Sequence, residues 1–218
     1  MATIAEQVRE VNAAAGSRLP AEVVATFASE QAALAERGIP AAAVSVGDTL
    51  APFALPDVLG RTRTLGELIA DGPAVIVFYR GGWCPYCNLT LRTYERELMP
   101  LLSAHGARLV AISPETPDAS LSTQERHGLT YTVLTDAGAE LASTLGITFE
   151  PSAEGLEAKR ALGVDISATR PDHGTVLPMP TVLIVDGRRT VRFVDIHPDY
   201  TGRTEVGDIV AALEALKS

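Results

Sequence analysis

The fold is decided by the stretch AVIVFYRGGWCPYC, residues 74–87 of a chain of 218 residues. Its first six residues are apolar, β-branched or aromatic without a break, which is typical of a central strand covered on both faces. Residues 88–105 then repeat apolar side chains at helical spacing, and we expect Pro100 to kink that helix. The stretch therefore predicts a buried strand that turns through a short loop into a helix.

The rest of the chain continues with the same two kinds of element. We predict a short edge hairpin over residues 53–65, strands at 108–113, 131–134, 181–185 and 191–194, and helices at 118–127, 139–145 and 206–216. Asp118 is expected to cap its helix. Residues 149–177 are interpreted as a long insertion with one helical turn near 156–162. Parallel strands joined by helices, followed by an antiparallel hairpin, predict an α/β fold with a mixed central sheet and helices on both faces.

The first part of the chain, residues 1–44, predicts a helical hairpin appended to a domain of residues 45–218. Apolar residues at helical spacing indicate a first helix that breaks at residues 15–17. A second helix begins after Pro20 and ends at Gly38. We expect this hairpin to serve packing or a dimer contact, with docking of a specific partner as the alternative.

Composition narrows the class of protein. A net charge of −9 and a pI of about 4.9 argue against a nucleic-acid partner. The first thirty residues contain no basic segment followed by an apolar run, and the longest strongly apolar stretch, residues 74–78, is too short to span a bilayer. We therefore expect a cytoplasmic protein without a membrane partner, in a compartment where structural disulfides are rare.

The chain contains two cysteines, Cys84 and Cys87, and both lie in the turn between the most hydrophobic strand and the next helix. The N-terminus of a helix favours a thiolate and lowers its pKa. A second cysteine one turn later can attack a mixed disulfide or a sulfenic acid formed on the first. Pro85 removes an unpaired donor and fixes the turn. This placement predicts thiol–disulfide redox chemistry.

Three other roles are open to the cysteine pair. A structural disulfide would close so short a loop that it would constrain the unfolded chain little. A zinc site needs two further ligands, and the four histidines show no ligand spacing; they are His105, His127, His173 and His197. Inert buried cysteines are the remaining alternative. We expect no metal and no cofactor.

Residues 78–87 resemble the active-site stretch of the thioredoxin superfamily, and most closely the peroxiredoxin-like branch of the alkyl hydroperoxide reductase/thiol-specific antioxidant (AhpC/TSA) family. The resemblance covers about residues 45–216 and implies a thioredoxin-like fold. Further matching segments are residues 46–48 and 53–57, the strand at 109–114, and the strand at 179–186. The resemblance implies that Pro180 is a cis-proline facing the cysteine pair and that Trp83 shields the disulfide.

The typical active-site pattern of that family, called the family frame below, has a characteristic residue at each position around the pair. In that frame Cys87 falls on the peroxidatic position and Cys84 replaces a threonine. Arg80 stands where the family has a proline, and Met179 stands where it has a distant arginine. The threonine hydroxyl and the arginine normally polarise the peroxide, so their loss weakens transition-state stabilisation. Arg80 either supplies the missing positive charge or is a solvated surface cation.

The function predicted from these residues is reduction of hydroperoxides, with Cys87 attacking, Cys84 resolving, and a thioredoxin-type donor restoring the thiols. A thioredoxin-like disulfide oxidoreductase, with an exposed Cys84 as nucleophile, is the alternative. A non-enzymatic redox sensor is the third reading, with residues 1–44 and 149–177 as its responsive parts. A homodimer is compatible with the chain. Residues 197–200 are interpreted as structural.

Overall fold

The computed structural model describes residues 2–216. Its helices are α1 Ile4–Arg18, α2 Ala21–Arg37, α3 Leu65–Leu68, α4 Pro85–Thr93, α5 Met99–Leu102, α6 Pro117–His127, α7 Glu140–Thr144, α8 Ala153–Ala161 and α9 Val206–Ala215. Its strands are β1 Ala54–Pro56, β2 Thr62–Thr64, β3 Ala74–Phe78, β4 Arg108–Ser113, β5 Thr132–Thr135, β6 Thr148–Phe149, β7 Leu177–Pro178, β8 Thr181–Val185 and β9 Val191–Ile196. No helix in this part of the chain is long and apolar enough to cross a membrane.

The central sheet has five strands in the order β5-β4-β3-β8-β9. The strand β3 is parallel to β4 and antiparallel to β8, and β9 is antiparallel to β8. Every residue of β3 is buried, as the unbroken apolar run predicts. Alternate residues of β3 enter two separate cores, with Ile76 and Phe78 on one face and Val75 and Val77 on the other. The predicted α/β fold with a mixed sheet covered on both faces is confirmed.

The predicted N-terminal helical hairpin is also present as α1 and α2. Ile4 and Val8 of α1 join the core that contains Leu91 of α4, so the first helix lies beside the helix that carries the cysteines. The predicted break at residues 15–17 is wrong, since α1 continues to Arg18. A glycine inside a helix costs only about 1 kcal/mol relative to alanine, and the helix ends instead where the extended Leu19 precedes Pro20.

The helix predicted over residues 88–105 is interrupted, as Pro100 implies. A π-helical turn at Tyr94–Leu98 separates α4 from α5, and its last N–H, from Met99, reaches the carbonyl of Tyr94. The wider turn accommodates a proline that has no N–H to donate. A 3₁₀ turn at Ser103–His105 then ends the element.

Two further boundaries differ from the predictions. Asp118 does not cap α6, because the Thr116 side chain accepts the N–H of Ala119 and Pro117 occupies the first helical position. The insertion at residues 149–177 contains the full helix α8 rather than one turn. Pairing of β6 with β7 closes the base of this insertion.

Candidate active site

The loop between β3 and α4 is shaped by close approaches that only glycine permits. Gly81 has a φ of 150°, and a Cβ on it would lie 2.4 Å from the Trp83 indole nitrogen. A Cβ on Gly82 would lie 2.0 Å from the Thr123 hydroxyl oxygen. The Gly82 N–H donates to the Glu115 carboxylate at 2.8 Å. The loop therefore delivers the chain to the start of α4 along a fixed path.

The two cysteines meet at the first turn of α4. Cys84 is the N-cap residue, and Cys87 lies one turn along the helix. Both are free thiols, and their exposed fractions are 0% and 1%. The predicted exposure of Cys84 is wrong, because the N-terminal hairpin and the segment after α8 cover the end of α4 and share a cavity with that cysteine.

The surroundings shift the pKa values of the two thiols in opposite directions. Burial opposes ionisation of Cys84, but hydrogen bonds from the Cys87 thiol and backbone N–H, together with the charges of Arg80 and Arg203, hold its pKa well below the usual value. Burial raises the pKa of Cys87, and its hydrogen bond to Cys84 and the charge of Cys84 raise it further. The arrangement favours a thiolate on Cys84 and a protonated thiol on Cys87.

Arg80 is a buried cation directed at Cys84. Only 2% of this residue is exposed, and its Nη1 lies 3.8 Å from the Cys84 Sγ. The guanidinium carbon lies 3.9 Å from the Tyr200 ring centroid, 4.8 Å from that of Trp83 and 5.8 Å from that of Phe149. Its Nε and Nη2 have no hydrogen-bond partner among the described residues. The solvated-cation reading of Arg80 is wrong.

A second arginine, Arg203, lies beside the other cysteine. Its Nη2 is 3.4 Å from the Cys87 Sγ, and its Nη1 donates to two backbone carbonyls of its own loop. Sequence reasoning missed it. The distant-arginine position, Met179, is a buried apolar residue. The predicted strand order contained a signal for Arg203. The strand β9 runs in the same direction as β3, so the segments that follow the two strands lie at the same end of the sheet.

Residues 197–200, interpreted from sequence as structural, include another missed residue of the site. The Tyr200 ring supports Arg80, and its hydroxyl donates to the Glu30 carboxylate at 2.9 Å. Glu30 also accepts from the Lys159 ammonium at 3.1 Å and from the Ser152 N–H at 3.0 Å. A Cβ on Gly155 would lie 2.2 Å from the Glu30 carboxylate. The N-terminal hairpin is thereby joined to α8 and to the support of Arg80.

Glu115 is a second buried carboxyl near the pair. Burial raises its pKa to about 7, the hydrogen bond from Gly82 opposes this rise, and the negative charge of Cys84 adds to it. Its proton and the thiolate of Cys84 therefore influence each other across the glycine loop.

The expectation for Pro180 is corrected by the structure. Its position opposite the cysteines is as the resemblance implies, since it lines the small cavity beside Cys87. The peptide bond before it is trans, as are the other peptide bonds of residues 2–216. Pro180 lies in the short link between β7 and β8, and its carbonyl accepts the His197 N–H at 2.9 Å. The trans form is favoured by about 0.5–1 kcal/mol unless a turn demands otherwise.

Two cavities adjoin the pair. One, of about 160 Å³, reaches Cys84, Arg80 and Trp83. The other, of about 10 Å³, reaches Cys87 and Arg203. Trp83 packs against both cores beside the pair, where the predicted shielding role would place it. In the described part of the chain, no three His, Cys, Asp or Glu side chains are arranged to hold a metal.

Comparisons with known proteins identify the family of this chain. The sequence model of the AhpC/TSA family matches residues 46–194. The putative peroxiredoxin Rv1608c of Mycobacterium tuberculosis is 32% identical over 176 residues, which are 80% of this chain and 99% of that protein. The chloroplastic peroxiredoxin Q of Sedum lineare is 28% identical over 122 residues, covering 56% of this chain and 64% of that protein.

Solved structures show the same fold. The crystal structure of peroxidoxin BcpB from Mycobacterium tuberculosis superposes with a TM-score of 0.63 at 24% identity, over 80% of this chain and 99% of that one. Reduced Prx3 from Vibrio vulnificus, solved with hydrogen peroxide, gives a TM-score of 0.63 at 19% identity, over 78% of this chain and 99% of that one. The α/β fold described above is therefore the thioredoxin-like fold.

Proposed function

The chain belongs to the AhpC/TSA family of thiol-dependent oxidoreductases, and from that premise we propose that it reduces hydroperoxides through the Cys84–Cys87 pair. The observation that carries the proposal is the buried Arg80 guanidinium, whose Nη1 lies 3.8 Å from the Sγ of the more acidic thiol. A preorganised cation in a dry site stabilises both a thiolate and the negative charge that develops when a peroxide bond breaks.

In the first step the Cys84 thiolate attacks the terminal oxygen of the hydroperoxide. A sulfur–oxygen bond forms, the oxygen–oxygen bond breaks, and Cys84 becomes a sulfenic acid. The departing alkoxide takes up a proton and leaves as an alcohol. The Arg80 Nη1 lies 3.8 Å from the Cys84 Sγ, so the positive charge is close to the peroxide bond that breaks there. This charge takes the place of the missing threonine and distant arginine of the family frame.

In the second step the Cys87 thiol attacks the sulfur of the Cys84 sulfenic acid. A disulfide forms, and the hydroxyl leaves as water with the proton of the thiol. The nearby Arg203 favours the thiolate of Cys87 when it reacts. This order differs from the family frame, which put Cys87 first, because the acidifying contacts converge on Cys84.

The cycle closes when a dithiol of the thioredoxin type reduces the disulfide and is itself oxidised. The cavity of about 160 Å³ beside Cys84 has room for a hydroperoxide but not for a protein thiol, so we expect α1 and α2 to shift during this step. This limited room also argues against a protein disulfide as the first substrate. We propose the cytoplasm as the compartment, since it maintains the free thiols from which the cycle starts.

The test is stopped-flow oxidation of Cys84→Ser and Cys87→Ser variants with hydrogen peroxide, with dimedone trapping of sulfenic acid. We expect Cys87→Ser to form a trapped sulfenic acid on Cys84 and Cys84→Ser to react far more slowly. The reverse pattern would overturn the assignment of Cys84. Wild-type turnover with thioredoxin and its reductase should be continuous, whereas one equivalent of oxidation without cycling would support the redox sensor.

A further inference from the structure

We infer that the N-terminal hairpin builds the binding site for the apolar part of the substrate, so that this chain selects bulky organic hydroperoxides over hydrogen peroxide. The inference rests on the proposed function and adds the class of substrate to it. Its distinctive element is that two of the three apolar walls of the site lie before residue 46, outside the segment that the family shares.

The cavity beside Cys84 has apolar walls that come from three places. The first wall is α1 and the residue after it, the second is α2, and the third is the segment that follows α8. The apolar lining residues are Val11, Ala15, Leu19, Phe27, Leu162 and Val164. A dry cavity of about 150 Å³ with walls of this kind accepts benzene, and the present cavity of about 160 Å³ is slightly larger.

Arg80 and Cys84 both line the cavity, and the Arg80 Nη1 lies 3.8 Å from the Cys84 Sγ. Gln31 is a further polar lining residue. Lys159 also borders the cavity, but its ammonium is already paired with Glu30. A matching ligand therefore has an apolar body and one oxygen-bearing end that reaches Arg80 and Cys84. An aryl or branched alkyl hydroperoxide has this form, whereas hydrogen peroxide leaves the apolar walls unoccupied.

The opposite side of the pair offers no comparable room. The cavity at Cys87 measures about 10 Å³, which is about the space of one water molecule. An organic substituent fits only on the Cys84 side, under the hairpin. The cavity sizes therefore predict that the substrate approaches from the side of the hairpin, which is the side of the proposed nucleophile Cys84.

Hydrogen bonds hold the hairpin over this cavity. The Tyr86 hydroxyl donates to the Asn12 side-chain oxygen at 2.5 Å, which ties α1 to the residue between the cysteines. Glu30 ties α2 to Lys159 and Tyr200. Because both helices are fixed, the walls are formed before substrate binds, and little ordering opposes binding.

The experiment compares second-order rate constants for oxidation by cumene hydroperoxide and by hydrogen peroxide. Trp83, the one tryptophan of the chain, lies beside the pair and reports oxidation by its fluorescence. For the wild type we expect cumene hydroperoxide to react at least tenfold faster. Filling the cavity with Ala15→Phe, which leaves Trp83 as the one tryptophan, should lower the ratio of the two rate constants at least tenfold. Ala13→Phe, on the exposed side of the same helix, should leave the ratio unchanged.

Phe27→Ala gives a second measurement in case the larger side chain at residue 15 prevents folding. Loss of the ring contact should also lower the ratio, by about tenfold, with folding checked by circular dichroism. A wild-type ratio near one, or a ratio that neither variant changes, overturns the inference while hydrogen peroxide reduction stands. If neither peroxide oxidises the pair, the proposed function itself fails.

Discussion

Replacing Glu30 with glutamine tests how the N-terminal hairpin is coupled to the active site. The Glu30 and Lys159 side chains are 4% and 7% exposed and form an ion pair of 3.1 Å. Removing one charge of a buried pair costs about 3–5 kcal/mol, because the other charge is left without compensation. Glutamine keeps one acceptor oxygen for the Tyr200 hydroxyl, so we expect a loss near the lower limit, about 3 kcal/mol.

Two assays measure this loss. Urea unfolding gives the free energy directly, and a loss of about 3 kcal/mol should lower the Tm by roughly 6–12 °C in a chain of this size. The thiolate absorbance of Cys84 should also titrate at a higher pH, because Tyr200 supports Arg80 and a displaced guanidinium stabilises the thiolate less. Glu36→Gln, exposed on the same helix, is the matched control and should stay within about 0.5 kcal/mol.

The double variant Glu30→Met/Lys159→Met separates charge from packing. Apolar side chains of similar volume leave no unpaired charge, so most of the lost stability should return. A double variant as unstable as Glu30→Gln would refute the reasoning from uncompensated charge. The reasoning also fails if Glu30→Gln unfolds at the same urea concentration as Glu36→Gln.

The remaining predictions concern the loop around the thiols. Arg80→Met should slow peroxide oxidation of Cys84 by about 10²-fold. It should also raise the pKa of the Cys84 thiol, which the pH dependence of alkylation with iodoacetamide measures. A pH profile of alkylation identical to that of the wild type would contradict the electrostatic role of Arg80. Glu115 has a pKa raised to about 7, so its contribution to stability is full below about pH 4.5 and is lost as the pH rises to 7. Glu115→Gln should therefore remove up to about 3 kcal/mol of that pH dependence, and equal urea unfolding profiles for variant and wild type at pH 5 and 8 would exclude this.

The sequence determined the elements whose formation depends on near neighbours. The apolar run of β3, the helical spacing after Cys87 and the closely spaced strands of the β8–β9 hairpin each specify local structure within a few residues. Local patterns of this kind predicted the order of strands and helices. The residues around Cys84 and Cys87 predicted the family and a redox role for the two cysteines. Errors arose where local signals competed, as at the end of α1, where proline rather than glycine ended the helix.

Tertiary structure decided which side chains act on the cysteines. Arg203 lies 116 residues from Cys87, and Glu30 lies 170 residues from Tyr200. Such contacts depend on strand order and on how the hairpin docks, and neither leaves a periodic pattern in the sequence. The burial of Cys84 has the same origin, because its cover comes from chain segments far from it in sequence. The sequence by itself determined that two cysteines lie one turn apart at the start of a helix, and only the packed structure decided which charges face each thiol and what space lies in front of it.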